Sequence, residues 1–202
     1  MPLIFKEKVE EDVMLGMWRI DEDINEFSHI ALLPDSLKLE IAEFTSMQRK
    51  REVLAVRCLL NNIFGHYVGL NHNKDGKPYL ENGYNISISH SKDVATVIVS
   101  SKRKVAIDVE YISQRVERVV SRLLREDENP QNLIEEILYW CTKETLYKFY
   151  SEEHLSLADM RVLSVEGDSI NGIIIAENVQ RCETLNVAYC IFDGYVLTYA
   201  VL

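Results

Sequence analysis

The chain has 202 residues, 47% of them hydrophobic and 27% charged, with a formal net charge of −10. That is enough apolar material for a core without disulfides, and the acidic balance argues against general affinity for nucleic acid. The four cysteines (Cys58, Cys141, Cys182 and Cys190) form no CxxC pair and have no histidine at ligand spacing, which excludes a zinc site or a disulfide frame.

Met1 to Glu11 is charged and lacks an apolar stretch, so no secretory signal is expected there, and no apolar run is long enough for a bilayer. A cytoplasmic protein with no membrane partner is the expectation. Leu3 to Lys6 and Val13 to Ile20 read as two short strands. Ser36 can cap a helix running through Phe44, and Ser46 a longer one carrying Val53, Leu54, Val56, Leu60 and Phe64. Arg49, Lys50 and Arg51 on that helix read as a solvated charged face, with Arg57 further along. Gly65 to Gly76 is polar and reads as a loop. It leads into the turn Gly76-Lys77-Pro78 and a short extended piece.

Asn85 to Ser91 alternates, with Ile86 and Ile88 to one side and Ser87 and Ser89 to the other, before a return strand from Val94 to Val99. Val105 to Glu110 is a further strand. Period two places Asp108 and Glu110 on one face, with Ile107 and Val109 on the other, core face. A helix is expected from Arg115 to Leu124. Its arginines Arg115, Arg118, Arg122 and Arg125 lie on one narrow stripe, an unexpected feature in an acidic chain. Asn129 and Pro130 suit the start of the next helix. On it Trp140, Lys143, Glu144, Tyr147 and Lys148 recur at three- and four-residue steps, a mixed stripe of rings, carboxylate and amines. The rest is strand-rich: Met160 to Val165, Ile170 to Ala176, Leu185 to Phe192 and Tyr195 to Val201. The hairpin Asn186 to Val201 loosely repeats the pattern of Asn85 to Val99. No Ser/Gly/Pro-rich linker separates the two parts of the chain, so two halves packed as one body are expected.

Three acids, Asp108 and Glu110 from a strand and Glu144 from a helix, with no His or Cys beside them, favour a hard ion such as Mg²⁺ or Mn²⁺. Magnesium completes its shell with water and phosphate oxygens, so a phosphorylated substrate is expected. Lys77, His90, Arg57 and Lys148 are suitable cations for it.

Four ordered motifs then carry a resemblance. Gly76-Lys77-Pro78, Ile88-Ser89-His90-Ser91, Ile107-Asp108-Val109-Glu110 and Trp140-x-x-Lys143-Glu144-x-x-x-Lys148 resemble those of 4′-phosphopantetheinyl transferases, in particular the surfactin-type enzymes that act as monomers. The resemblance implies an α+β fold of two similar halves, a pseudo-dimer, here residues 1–103 and 104–202 with the active site in the cleft between them. It implies transfer of the phosphopantetheine of coenzyme A to a serine of an apo acyl or peptidyl carrier protein, with release of 3′,5′-ADP. Asp108, Glu110 and Glu144 would hold Mg²⁺. Glu144 would deprotonate the serine and Lys148 would neutralise the departing nucleotide. Lys77, Pro78, Ser89 and His90 would hold the nucleotide phosphates, assisted by Arg57. The arginine stripe Arg115, Arg118, Arg122 and Arg125 would dock the acidic carrier. Two other readings use the same residues: a non-catalytic module binding coenzyme A or a carrier, and a metal-dependent nucleotide pyrophosphatase.

Overall fold

β1 (Leu3–Glu10) and β2 (Val13–Arg19) form an antiparallel pair at the start of the chain. The computed structural model describes residues 2–24, 26–27, 32–114, 120 and 123–202. Its contacts divide the chain into two units, Met1–Arg103 and Lys104–Leu202. Each mixes strands and helices, and every strand pair is antiparallel.

In the first unit, β1 and β2 are followed by two helices, α1 (Asp35–Glu43) and α2 (Met47–Phe64). α1 starts from Pro34, two residues earlier than a Ser36 cap would place it, and no side chain caps it. Proline fixes the φ of its own position, so the helix begins without a hydroxyl acceptor. α2 follows the sequence closely. The Ser46 side chain accepts the Arg49 N–H, and Gly65 ends the helix at a left-handed φ of 75°. A sheet of order β1-β2-β6-β5 is completed by β5 (Asn85–Ser91) and β6 (Val94–Ser100). α2 lies close on β2 at Gly16, where a Cβ would come within 3.1 Å of Leu59. Leu54, Cys58, Leu59, Val97 and Val99 fill the core there. The stretch expected to be loop contains a strand, β3 (Leu70–His72), paired with β4 (Pro78–Leu80).

The second unit is a five-stranded sheet of order β7-β11-β10-β9-β8, made by β7 (Val105–Tyr111), β8 (Met160–Gly167), β9 (Asn171–Asn178), β10 (Glu183–Phe192) and β11 (Tyr195–Val201). One helix, α3 (Leu133–Phe149), packs on it. Ile137, Leu138, Cys141, Leu146 and Phe149 of α3 meet Ile174, Ala176, Val187, Val196 and Ala200. Each such buried aliphatic side chain contributes about 1.5–3 kcal/mol. α3 starts three residues later than Asn129 and Pro130 suggest. Asn132 is the cap, accepting the Glu135 N–H at 3.0 Å, while the Glu135 carboxylate accepts from the Asn132 amide and the Gln131 N–H. This reciprocal closure satisfies more of the free helix-end donors than a cap at Asn129 would. Of the helix expected over Arg115 to Leu124, residues 115–119 and 121–122 lie outside the described residues, and with them Arg115, Arg118 and Arg122. Among the described residues no helix is long and apolar enough to cross a membrane.

Candidate functional site

β7 is an edge strand, and its alternation points Ala106, Asp108 and Glu110 to the face that α3 covers. The acids therefore meet the helix, while Ile107 and Val109, on the other face, are also buried. Asp108 is only 4% exposed and both of its oxygens are engaged. The Lys148 ammonium donates to Oδ1 at 2.7 Å and to the Ile107 carbonyl at 3.0 Å. The Cys141 thiol donates to Oδ2 at 3.2 Å. Burial and the Asp108 charge raise the pKa of that thiol well above its usual value, so it stays a neutral donor. Glu110 accepts the Trp140 indole N–H at 3.0 Å. Three residues of α3 thus orient two acids on β7.

Glu144 lies between Cys141 and Lys148 on the same helix. Burial, then the charge of Asp108, push its carboxyl up to about 7. Lys148 opposes the rise and Glu110 adds to it. A carboxyl at that value exchanges its proton near neutrality, as a general base requires. α3 is otherwise tied down by polar contacts on both sides. The Thr145 hydroxyl lies 2.7 Å from that of Thr198 on β11, which also donates to the Cys141 carbonyl at 3.0 Å. Lys143 is 1% exposed and pairs with Glu128 at 2.6 Å.

The expectation of no cysteine beside the acids does not hold, since the Cys141 thiol lies against Asp108, but its raised pKa keeps it neutral, so the charged oxygens near Glu144 are those of Asp108 and Glu110. These residues fit a hard divalent ion. Among the described residues, however, no three His, Cys, Asp or Glu side chains are gathered into a group that could hold a metal ion. A cavity of about 440 Å³ runs along the first turns of α3 past Asn132, Glu135 and Tyr189, and the acids Asp108, Glu110 and Glu144 do not line it.

The cations of the first unit are placed differently. His90 shares a face of β5 with Ile86 and Ile88 and reaches the start of α2, where its Nε2 lies 3.1 Å from Arg49 Nη1 and 3.5 Å from the Glu52 carboxylate. Guanidinium only donates, so the imidazole accepts there. Ser89 points to the opposite face of β5 and is buried. Arg57, 7% exposed, donates to the Leu70 carbonyl at 2.9 Å and so ties α2 to the β3–β4 hairpin. Its Nε and Nη1 have no hydrogen-bond partner among the described residues, and burial lowers its pKa. A buried, always-charged group with spare donors is what an anion site supplies. Lys77 sits in the hairpin turn, its N–H held by Asn73 Oδ1 at 2.8 Å, and Pro78 opens β4.

Sequence reasoning missed three participants. Arg49 belongs to a run read as solvated. His72 lies in a stretch read as loop. There burial, with Arg49 and Arg57 nearby, depresses its pKa. Glu128 is a third, a loop carboxylate that carried no sequence signal. Of the proposed docking arginines only Arg125 is described. It donates to Asp127 at 2.9 Å and to the Ala158 carbonyl.

The arrangement is that of a mixed α/β protein with an acid–lysine cluster under one helix. No family model matches the chain. It is similar to the 4′-phosphopantetheinyl transferase HetI of Nostoc sp., with 28% identity over 173 residues, covering 72% of this chain and 72% of that protein.

Proposed function

We propose that this protein transfers the 4′-phosphopantetheine group of coenzyme A to a serine of an apo acyl or peptidyl carrier protein. The observation that carries the reading is Glu144, held at about 7 beside Asp108 and Glu110, with Lys148 one turn on. The similarity to a named transferase and the four ordered motifs support it.

In this reading Glu144 accepts the proton of the carrier serine. The serine oxygen attacks the β-phosphorus of coenzyme A, a new O–P bond forms, and the bond to the bridging oxygen of 3′,5′-ADP breaks. The electron pair leaves on that oxygen, and Lys148, already facing the acid cluster, neutralises it. Asp108, Glu110 and Glu144 would hold Mg²⁺ (Mn²⁺ by the same donor chemistry), which when bound would draw negative charge from the pyrophosphate. Cys141 and Trp140 keep the two strand acids oriented. Arg57, Lys77, Pro78, Ser89 and His90 form the nucleotide end of the proposal, with Arg49 and His72 beside His90 and Arg57. The arginines at 115, 118, 122 and 125 steer the acidic carrier. A cytoplasmic monomer of the surfactin type, its two halves serving one substrate, completes it.

The test is incubation with coenzyme A, Mg²⁺ and several apo carriers, read by mass spectrometry. A carrier mass gain of one phosphopantetheine is the expected result. Cleavage of coenzyme A without carrier would replace the proposal by hydrolysis, and binding of coenzyme A with neither product by a non-catalytic module.

A further inference from the structure

The buried pair Lys143–Glu128 is a polar node of the second unit with several hydrogen-bond partners. Its side chains are 2% and 0% exposed. Glu128 Oε2 accepts from Lys143 Nζ at 2.6 Å and from the Arg125 N–H at 2.9 Å, while Oε1 accepts the Val162 N–H at 2.8 Å. Lys143 also donates to the Leu123 carbonyl at 3.3 Å. One carboxylate and one ammonium therefore join α3, the segment 123–128 and the backbone of β8.

Desolvating two charges costs more than apolar packing of the same volume would, so stability alone does not explain such a pair. What directional bonds add is a fixed register. The apolar face of α3 packs without directional preference and tolerates small rotations. Lys143 precedes Glu144, so a rotation of α3 that lengthened the Lys143–Glu128 bond would swing Glu144 by the same angle. The segment it is tied to carries Arg125.

We propose that the Lys143–Glu128 pair is a positioning device that locks the rotation of α3, and so fixes Glu144 relative to the strand acids and to the 123–128 segment. It rests on the transferase reading for its kinetic consequence and on the structure alone for its spectroscopic one. Trp140, on α3 and bonded to Glu110 on β7, reports the register directly. The chain has two tryptophans, so Trp18→Phe leaves Trp140 as the single emitter.

In that background Glu128→Gln and Lys143→Met each leave one charge buried and unpaired, and each is expected to lower Tm and kcat together. The double variant removes both charges and is expected to recover most of the lost Tm. It should nevertheless keep a shifted Trp140 emission and a kcat about tenfold low, with KM for coenzyme A unchanged. Recovery of kcat and emission along with Tm would make the pair merely structural and overturn the proposal. Glu128→Asp keeps the charge but shortens its reach, and covers the case of a double variant that fails to fold. It should lower kcat and shift emission in a folded protein, and wild-type values for both would likewise overturn the inference. If the unmodified protein transfers nothing to any carrier, the transferase reading fails, while the emission of these variants still decides the positioning role.

Discussion

The two units share a plan, an antiparallel sheet with one long helix upon it, but they use their polar residues in opposite ways. In the second unit α3 is covered along nearly its whole length, and Tyr147 is its only exposed residue. Its polar side chains are pressed into bonds with the sheet: Cys141 and Lys148 to Asp108, Trp140 to Glu110, Thr145 to Thr198. In the first unit, apart from Arg57 buried in the middle of α2, the charged groups of the candidate site stand at ends and turns. His90 is near the end of β5, Arg49 in the first turn of α2, Lys77 in a hairpin turn. Rigid, desolvated groups are suited to chemistry, where an error of an ångström is costly. Groups at turns and helix starts suit the grip on an anion. Under the proposed function, this contrast predicts a division of labour, in which the second unit governs turnover and the first governs coenzyme A affinity.

The sharpest way to break that division is Glu144→Gln. It should lower kcat by about 10²–10⁴ in a folded protein. Single-turnover transfer against circular dichroism checks it, and near-normal turnover would remove Glu144 as the base. The first unit should answer differently. His90→Ala, or Lys77→Ala, should raise KM for coenzyme A about tenfold, the worth of one charge-assisted contact, with kcat nearly unchanged. A fall in kcat with KM constant would dissolve the contrast. Smaller still is the effect of reversing Arg118 and Arg122 to glutamate, about three- to tenfold on the carrier KM. It should fade at high salt, since rim charges act by steering. Unchanged carrier kinetics would leave the arginine stripe without a use.

How much of this was legible in the sequence follows the same divide. Period two put Asp108 and Glu110 on one face, and helical spacing put Glu144 and Lys148 on one stripe, because such periodicities are local. What covered the acid face was not local. Lys148 lies 40 residues from its partner Asp108, and Cys141 lies 33 away, so the cluster existed only once α3 had packed. β3 was invisible for a similar reason. Leu70-Asn71-His72 is too short to alternate and is made a strand by Pro78–Leu80 and by the bond from Arg57 to Leu70. The start of α3 was misplaced by three residues because Asn129-Pro130 and Asn132-x-x-Glu135 are both start signals, and the reciprocal side-chain bonds of the second decided between them. Glu128 gave no signal at all, since a loop glutamate reads as solvated until its lysine arrives.

The smallest effect concerns stability and isolates the acid cluster from every substrate. Glu144 sits at about 7 in the folded chain against an ordinary 4.5, so the native state holds its proton more tightly than the unfolded state does. Stability from this group is therefore complete below about pH 4.5 and is lost as pH rises through 7. A displacement of that size corresponds to at most ~3 kcal/mol, and partial exposure to water brings it to ~1–2 kcal/mol. Glu144→Gln cannot ionise, so in metal-free buffer it should be the more stable protein at pH 8 and no more stable than the parent at pH 5. Denaturant melts at the two pH values measure this. Equal differences at both would mean that burial and the neighbouring charges of Asp108 and Glu110 do not raise the Glu144 carboxyl. A divalent ion should erase the advantage at pH 8, because the surplus negative charge that destabilises the parent is what the ion neutralises.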